Sequence, residues 1–331
     1  MLTLFRTNQL VANILLIFYV LLLRFSAFIP QSDAAADLMP PGSAVLSQWA
    51  YQIVGSNGIS AQIIAIVLVF FQAILINVMV ARHRLGNEVT LFPGLFYVFL
   101  TSCLSDFLYL SPLLMANTFY ILAIMELFNS YKKPSAAGKI YNVGLWAGIG
   151  SLFYFSYLIF FLFGFIALGI LRAFRFRERI ILLLGLLSTL VLAAAYSFWT
   201  DQLALFWQQQ FSHNLGFFDL EGETNWLTWV KISLLGLLLI ICVLSYNRYV
   251  FKKNIQKQKY INILYWGLLL SAFTLLFQRE IRIEHLLILT APMSILLSFN
   301  FLDMKKPTAE AVHLLMVFAV LVLQFEFIWM A

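Results

Sequence analysis

Apolar runs of about 20 residues, the length that crosses a lipid hydrocarbon core, recur along this chain from Leu10 to Met330 with only short hydrophilic breaks between them. Hydrophobic residues make up 62% of the 331 and charged residues 11%, more oil than a water-soluble core can bury. Lipid offers the backbone no water to bond, so each run is expected to be a helix that satisfies its own N–H and C=O groups. The expected fold is an all-α, polytopic transmembrane helical bundle, a single integral membrane domain over residues 1–331.

The breaks carry the orientation. Seventeen of the 21 Lys and Arg residues, from Arg6 to Lys306, fall in breaks that can share one membrane face, against five acids. The other breaks hold Arg24, Lys231, Arg279 and Arg282 against ten acids. Basic residues are retained on the cytoplasmic side. That places the N-terminus inside, the C-terminus outside and about eleven crossings between them. The net charge of +6 therefore reads as topology. A nucleic-acid protein would cluster its cations with exposed aromatics, and here they punctuate the spans. Cys103 and Cys242 both sit in apolar runs and offer neither a disulfide framework nor a cysteine metal site.

The first span is expected at Leu10–Ile29, a retained helix with no small-residue cleavage site before it. An outer loop, 30–58, follows, in which AVLSQWAYQIVG (44–55) has the pattern of an amphipathic interfacial helix. Further spans are expected at Ile59–Val80, Val89–Leu108 and Leu113–Phe128. Residues 139–171 are bracketed by basic clusters on both sides, which demands an even number of crossings. The segment is read as a short helical hairpin turning near Tyr154–Tyr157, with a reentrant loop as the alternative. Spans at Ile180–Trp199, Leu227–Tyr246, Tyr260–Phe277, Leu286–Leu302 and Ala311–Met330 complete the chain, with a second outer loop at 200–226. Trp199, Trp207, Trp226 and Trp229 fall where an aromatic belt would mark the outer boundary.

Two patches on the outer side carry candidate chemistry. Arg279, Arg282 and His285 lie in QREIRIEHLLILTAPM. On an α-helix they fan over about 120° of one face, with Glu280 and Glu284 on the other. Two guanidiniums so placed can hold a phosphate by forked hydrogen bonds; the plainer reading is a salt-bridged turn that anchors the helix start. Asp33 and Asp37, in QSDAAADLMPP, share a face at i, i+4 and repel. A divalent cation or a substrate hydroxyl would relieve that repulsion, and one carboxylate could act as general base. An ordinary solvated acidic loop is the alternative. Asp106 belongs to the same face, as a turn or cap residue in the plain reading. Arg24 and Lys231 are expected to snorkel to the interface, Glu126 to reach water near the inner end of its span, and Asn117 to make a helix–helix hydrogen bond. The basic run Arg248–Lys259 is expected to rest on anionic headgroups. The spans' own charges sit near their ends, which argues against a transporter with a midplane ion path.

This layout resembles the C-type superfamily of polyprenyl-phosphate-sugar membrane glycosyltransferases. The likeness rests on many spans, a first outer loop with acids beside an interfacial helix, and a late basic outer segment followed by a proline-containing span, here with Pro292. It implies a catalytic carboxylate at Asp33 or Asp37 and lipid-phosphate contacts at Arg279 or Arg282. It also implies a polyprenyl phosphate among the membrane lipids the protein binds. As a whole the chain is similar to an uncharacterised bacterial family of polytopic inner-membrane proteins. That likeness is carried by LSPLLMANTFYILAIMELFNSYKK, GLWAGIGSLFYFSYLIF, FRFRERIILLLGLL and IEHLLILTAPMSILLSF. The competing expectation is a non-catalytic membrane subunit of an envelope complex, packed against a membrane protein partner.

Overall fold

A computed structural model describes every residue except Met1, 7–9, 30–42, 56–57, His213, 215–225, Lys252, 278–282 and 326–331. Among the described residues every regular element is helical, and the one β-type pairing is an isolated antiparallel bridge between Ser43 and Tyr154. In chain order the α-helices are α1 (Leu2–Phe5), α2 (Leu10–Leu23), α3 (Val45–Val54), α4 (Ile59–Arg82), α5 (Phe92–Thr101), α6 (Pro112–Ser130), α7 (Ala137–Phe153) and α8 (Phe160–Leu171). They continue as α9 (Phe176–Trp199), α10 (Leu203–Trp207), α11 (Trp226–Leu244), α12 (Tyr246–Val250), α13 (Ile255–Phe273), α14 (Thr290–Asp303) and α15 (Lys306–Gln324).

Among the described residues five helical stretches are long and apolar enough to cross a membrane: α4, α6, α9, α15 and Ile283–Asp303, which contains α14. Burial separates the inner stretches from the outer. Within their apolar windows Ile283–Asp303 is 89% buried and α6 is 78% buried, so these two form the centre. The corresponding figure is 28% for both α9 and α15, whose remaining apolar surface is what a lipid-facing helix presents. Around the centre α5 packs on α14 and α4, and α7 packs on α6 and α9. The α7–α9 crossing is close because its contact positions are glycines. A Cβ on Gly144 would overlap the Leu182 carbonyl, and one on Gly185 the Tyr141 carbonyl. Small residues that let two backbones approach are the usual adhesive where no hydrophobic effect drives helices together.

Four expected spans are interrupted, among them Tyr260–Phe277, where α13 ends at Phe273 and the chain continues as a 3₁₀ turn, Thr274–Phe277. The stretch expected at Val89–Leu108 is α-helical only over the ten residues of α5, about 15 Å of rise, with a short 3₁₀ turn, Ser105–Phe107, near its end. Pro93 sits at its start, and SCLSD after it is rich in side chains that compete for backbone hydrogen bonds. The first span ends as α-helix at Leu23 and continues as a 3₁₀ turn, Phe25–Phe28. The span expected at Leu286–Leu302 begins as 3₁₀ helix, Ile283–Leu289, before becoming α14. Residues 137–171 form two helices joined through extended Tyr154 and a 3₁₀ turn, Phe155–Ile159. Arg172, just past α8, donates to the carbonyls of Ser130 (2.7 Å) and Lys133 (2.8 Å), so the hairpin ends where it began.

Contacts among the breaks define two ends of the body. At one, Arg6 donates to Leu302 O (3.2 Å) and pairs with Glu88 (3.6 Å). There too Lys257 reaches Gly86 O (3.3 Å), Tyr260 reaches Phe128 O (3.0 Å), and Lys139 pairs with Glu126 (3.0 Å). The opposite end gathers residues 24–28, 43–54, 101–111, 153–157 and 283–289.

Candidate functional site

The chain between α5 and α6 sets the problem at that opposite end. An α-helix leaves its last carbonyls without intrahelical partners, and those of α5 end inside protein, away from water. Arg24 answers them. Its side chain is fully buried, and its guanidinium donates to Thr101 O (2.9 Å), Phe107 O (3.0 Å), Leu108 O (2.9 Å) and Ser102 Oγ (3.3 Å). Arg24 therefore does not snorkel: the orphaned carbonyls of a helix that stops early supply in the interior what water would supply outside. Gln324, from the end of α15, donates to Leu23 O (2.8 Å) and to Ser102 O, and accepts from Ser26 Oγ (3.0 Å). Lys231 is also held inside. Only 6% exposed, it donates to Ser105 Oγ (2.8 Å) and pairs with Asp106 (3.2 Å), tying α11 to the same segment.

A second assembly centres on Tyr154. Ser43 bridges to its backbone, and Ala44 N donates to Phe153 O (3.2 Å). On the other side the His285 ring lies 5.7 Å from the Tyr154 ring, centroid to centroid, and both residues are buried. Asn117 in α6 donates to Leu287 O (3.1 Å) and accepts from Tyr157 Oη (2.7 Å), fastening the 283–289 stretch to the hairpin turn. The helix expected from AVLSQWAYQIVG is α3, ended by Gly55 at φ 83°. Its Trp49 and Ile53 are exposed, while Tyr51 is buried and donates to Leu110 O (2.9 Å). Burial first, and the Glu284 carboxylate second, hold the Tyr51 phenol above the ordinary tyrosine range.

Of the residues expected to carry chemistry, Asp33, Asp37, Arg279, Glu280 and Arg282 lie outside the described residues. His285 and Glu284 lie on 3₁₀ helix, which turns about 120° per residue, so the α-helical fan does not apply over Ile283–Leu289. Asp106 lies in the 3₁₀ turn Ser105–Phe107, as the turn reading expects, and also pairs with Lys231. Glu126 is paired to Lys139, with its side chain 12% exposed, rather than solvated. Asn117 makes its interhelical bond and a second one to Tyr157. Among the described residues no three His, Cys, Asp or Glu side chains are grouped to hold a metal.

Sequence reasoning passed over Gln72 and Tyr97. Gln72 donates to Leu114 O and Thr118 Oγ1 (both 2.7 Å) and accepts from Tyr97 Oη (2.6 Å), which joins α4, α5 and α6. The available signal was an amide in the middle of IVLVFFQAILI, a run that otherwise has no polar atom to place.

A family model described as a family of unknown function, DUF6427, matches residues 44–331. The chain belongs to that family. The matched residues include the basic segment at 279–285, Asp106 and Lys231, and they start after Asp33, Asp37 and Arg24. No curated protein matches the chain, and neither does any solved structure.

Proposed function

We propose that this is a membrane glycosyltransferase-like enzyme acting on a polyprenyl-phosphate-linked sugar at the outer face of a bacterial cytoplasmic membrane. In this reading the chain crosses about eleven times, N-terminus inside and C-terminus outside. Supporting the topology, the contacts of Arg6, Lys139, Arg172 and Lys257 lie at one end of the body, and Asp106, Lys231 and α3 lie at the other.

The observation that carries the chemistry is the Tyr154 junction. Ser43 follows the acidic loop segment and His285 follows the basic one, and both meet this one tyrosine. Ser43 is six positions after Asp37, and His285 three after Arg282. Extended chain therefore tethers the Asp37 backbone within about 20 Å of Ser43, and the Arg282 backbone within about 10 Å of His285. A carboxylate from the first loop takes the proton of an acceptor hydroxyl as its oxygen bonds to the anomeric carbon. The bond from that carbon to the lipid phosphate breaks, and the phosphate leaves with the electron pair. Arg279 and Arg282 stabilise the charge that develops there.

Native mass spectrometry of detergent-purified protein tests this. Wild type should carry a polyprenyl phosphate adduct, and an Arg279→Ala/Arg282→Ala variant should lose it. Wild type without such an adduct would remove the enzyme reading and leave a non-catalytic membrane subunit. Reporter fusions at residues 36 and 283 should report the outer side; a cytoplasmic signal at either would overturn the topology.

A further inference from the structure

At the end of the body opposite Tyr154 the α4–α5 turn, α12 with Lys253 beyond it, and the end of α14 border a shallow surface cleft, open to solvent at its mouth. It is lined by charges of both signs, Arg248 and Lys253 against Asp303. Lys253 hydrogen-bonds Asn87, and beside it Lys257 donates to Gly86 O (3.3 Å), so the wall of the cleft is held in place by its own cations. Arg248 and Asp303 make no ion pair among the described residues and are solvent-exposed. The floor is aromatic. Tyr249, 2% exposed, meets Phe299 edge-on at 5.6 Å, and its buried hydroxyl makes no hydrogen bond among the described residues.

Depth indicates what such a cleft meets. Asp303 is the last residue of a stretch long and apolar enough to cross a membrane, so its carboxylate stands where that helix leaves hydrocarbon, at headgroup level. We propose that the cleft is a phospholipid headgroup site selective for phosphoethanolamine, with the phosphate between Arg248 and Lys253 and the ammonium on Asp303. The inference is independent of the outer-face reaction and needs only that the chain spans a membrane.

The charges argue for a zwitterion. A phosphate beside two cations gains charge-assisted hydrogen bonds. Burial first, and Lys257 second, hold the Lys253 ammonium below the ordinary lysine range, with the Asp303 carboxylate pulling the other way. A purely anionic headgroup, or free phosphate, would satisfy the cations and set a like charge against Asp303. The ammonium of phosphoethanolamine removes that conflict, and the aromatic floor accepts the glycerol carbons.

The test is native mass spectrometry of the full chain, delipidated in detergent and titrated separately with dioleoyl-phosphatidylethanolamine, dioleoyl-phosphatidylglycerol and soluble phosphoethanolamine. Wild type should retain the phosphatidylethanolamine adduct at least tenfold over phosphatidylglycerol. Arg248→Ala/Lys253→Ala should cut that adduct about tenfold. Asp303→Asn should bring the two lipids to parity while lipid still binds, a change of selectivity that misfolding would not produce. Equal retention of both lipids by wild type, or an unchanged adduct pattern in both variants, overturns the proposal. Soluble phosphoethanolamine binding as tightly as the lipid would assign the cleft to a free phosphate ester and overturn the lipid assignment.

Discussion

Replacing Arg24 with leucine puts the internal cap to a quantitative test. The substitution deletes the guanidinium that serves Thr101 O, Phe107 O, Leu108 O and Ser102 Oγ, and leucine, shorter and apolar, brings no donor to any of them. A buried acceptor left unsatisfied costs about 1–3 kcal/mol, so three carbonyls give about 3–9 kcal/mol. Interhelical hydrogen bonds measured within membranes average about 0.6 kcal/mol, which for four bonds sets a floor of about 2 kcal/mol. Leucine also removes the cost of keeping a cation out of water. The expected net loss therefore falls in the lower part of the range, about 2–5 kcal/mol. The assay is unfolding in mixed micelles of rising dodecyl sulfate fraction, followed by the fluorescence of the eight tryptophans. Arg24→Lys keeps the charge but has three donors on a single point in place of a planar fork, so its midpoint should fall between the other two. If Arg24→Leu unfolds within about 0.5 kcal/mol of wild type, the range of an ordinary surface change, the carbonyls after α5 do not depend on this side chain and the argument fails.

Other outcomes follow from the same contacts. Gly144→Val and Gly185→Val should each abolish monodisperse protein on size-exclusion chromatography, because each Cβ meets backbone oxygen across the α7–α9 crossing; Gly138→Ala, where nothing lies within 4 Å, should leave the profile unchanged. Asp106→Asn should destabilise more than Lys231→Met, since it strands a lysine only 6% exposed whereas the reverse leaves a carboxylate whose side chain is 33% exposed. A double-mutant cycle on the pair should return a positive coupling. His83, packed edge-on against Phe128 and Tyr260, is held down to about 4 by burial, then by Arg82. Its folded pKa lies below the unfolded value of 6.5, so its contribution is complete above pH 6.5 and is lost as pH falls toward 4. His83→Gln should flatten the acid limb of stability over that window.

Much of the architecture was legible residue by residue. The apolar runs, the hairpin at 139–171 and the helix α3 follow from local pattern, because a backbone in lipid must bond within its own segment. The interruptions after α5 and before α14 were less readable. A 3₁₀ or irregular stretch reads as apolar as a helix does, and it survives only where other elements satisfy its carbonyls. The same limit applied to Arg24 and Lys231. Near a span end each looked free to reach water, and both are buried because α5 stops short beside them.

Sequence alone, then, determined that this is a helical membrane protein and which breaks belong together, since hydrophobic length and basic bias are properties of each twenty-odd residues taken singly. Tertiary structure alone decided that α6 and α14 form the centre, that Gln324 closes on Leu23 from 301 positions away, and that Ser43 and His285 meet at Tyr154. Such contacts depend on where distant helices end, and a local pattern carries no record of that.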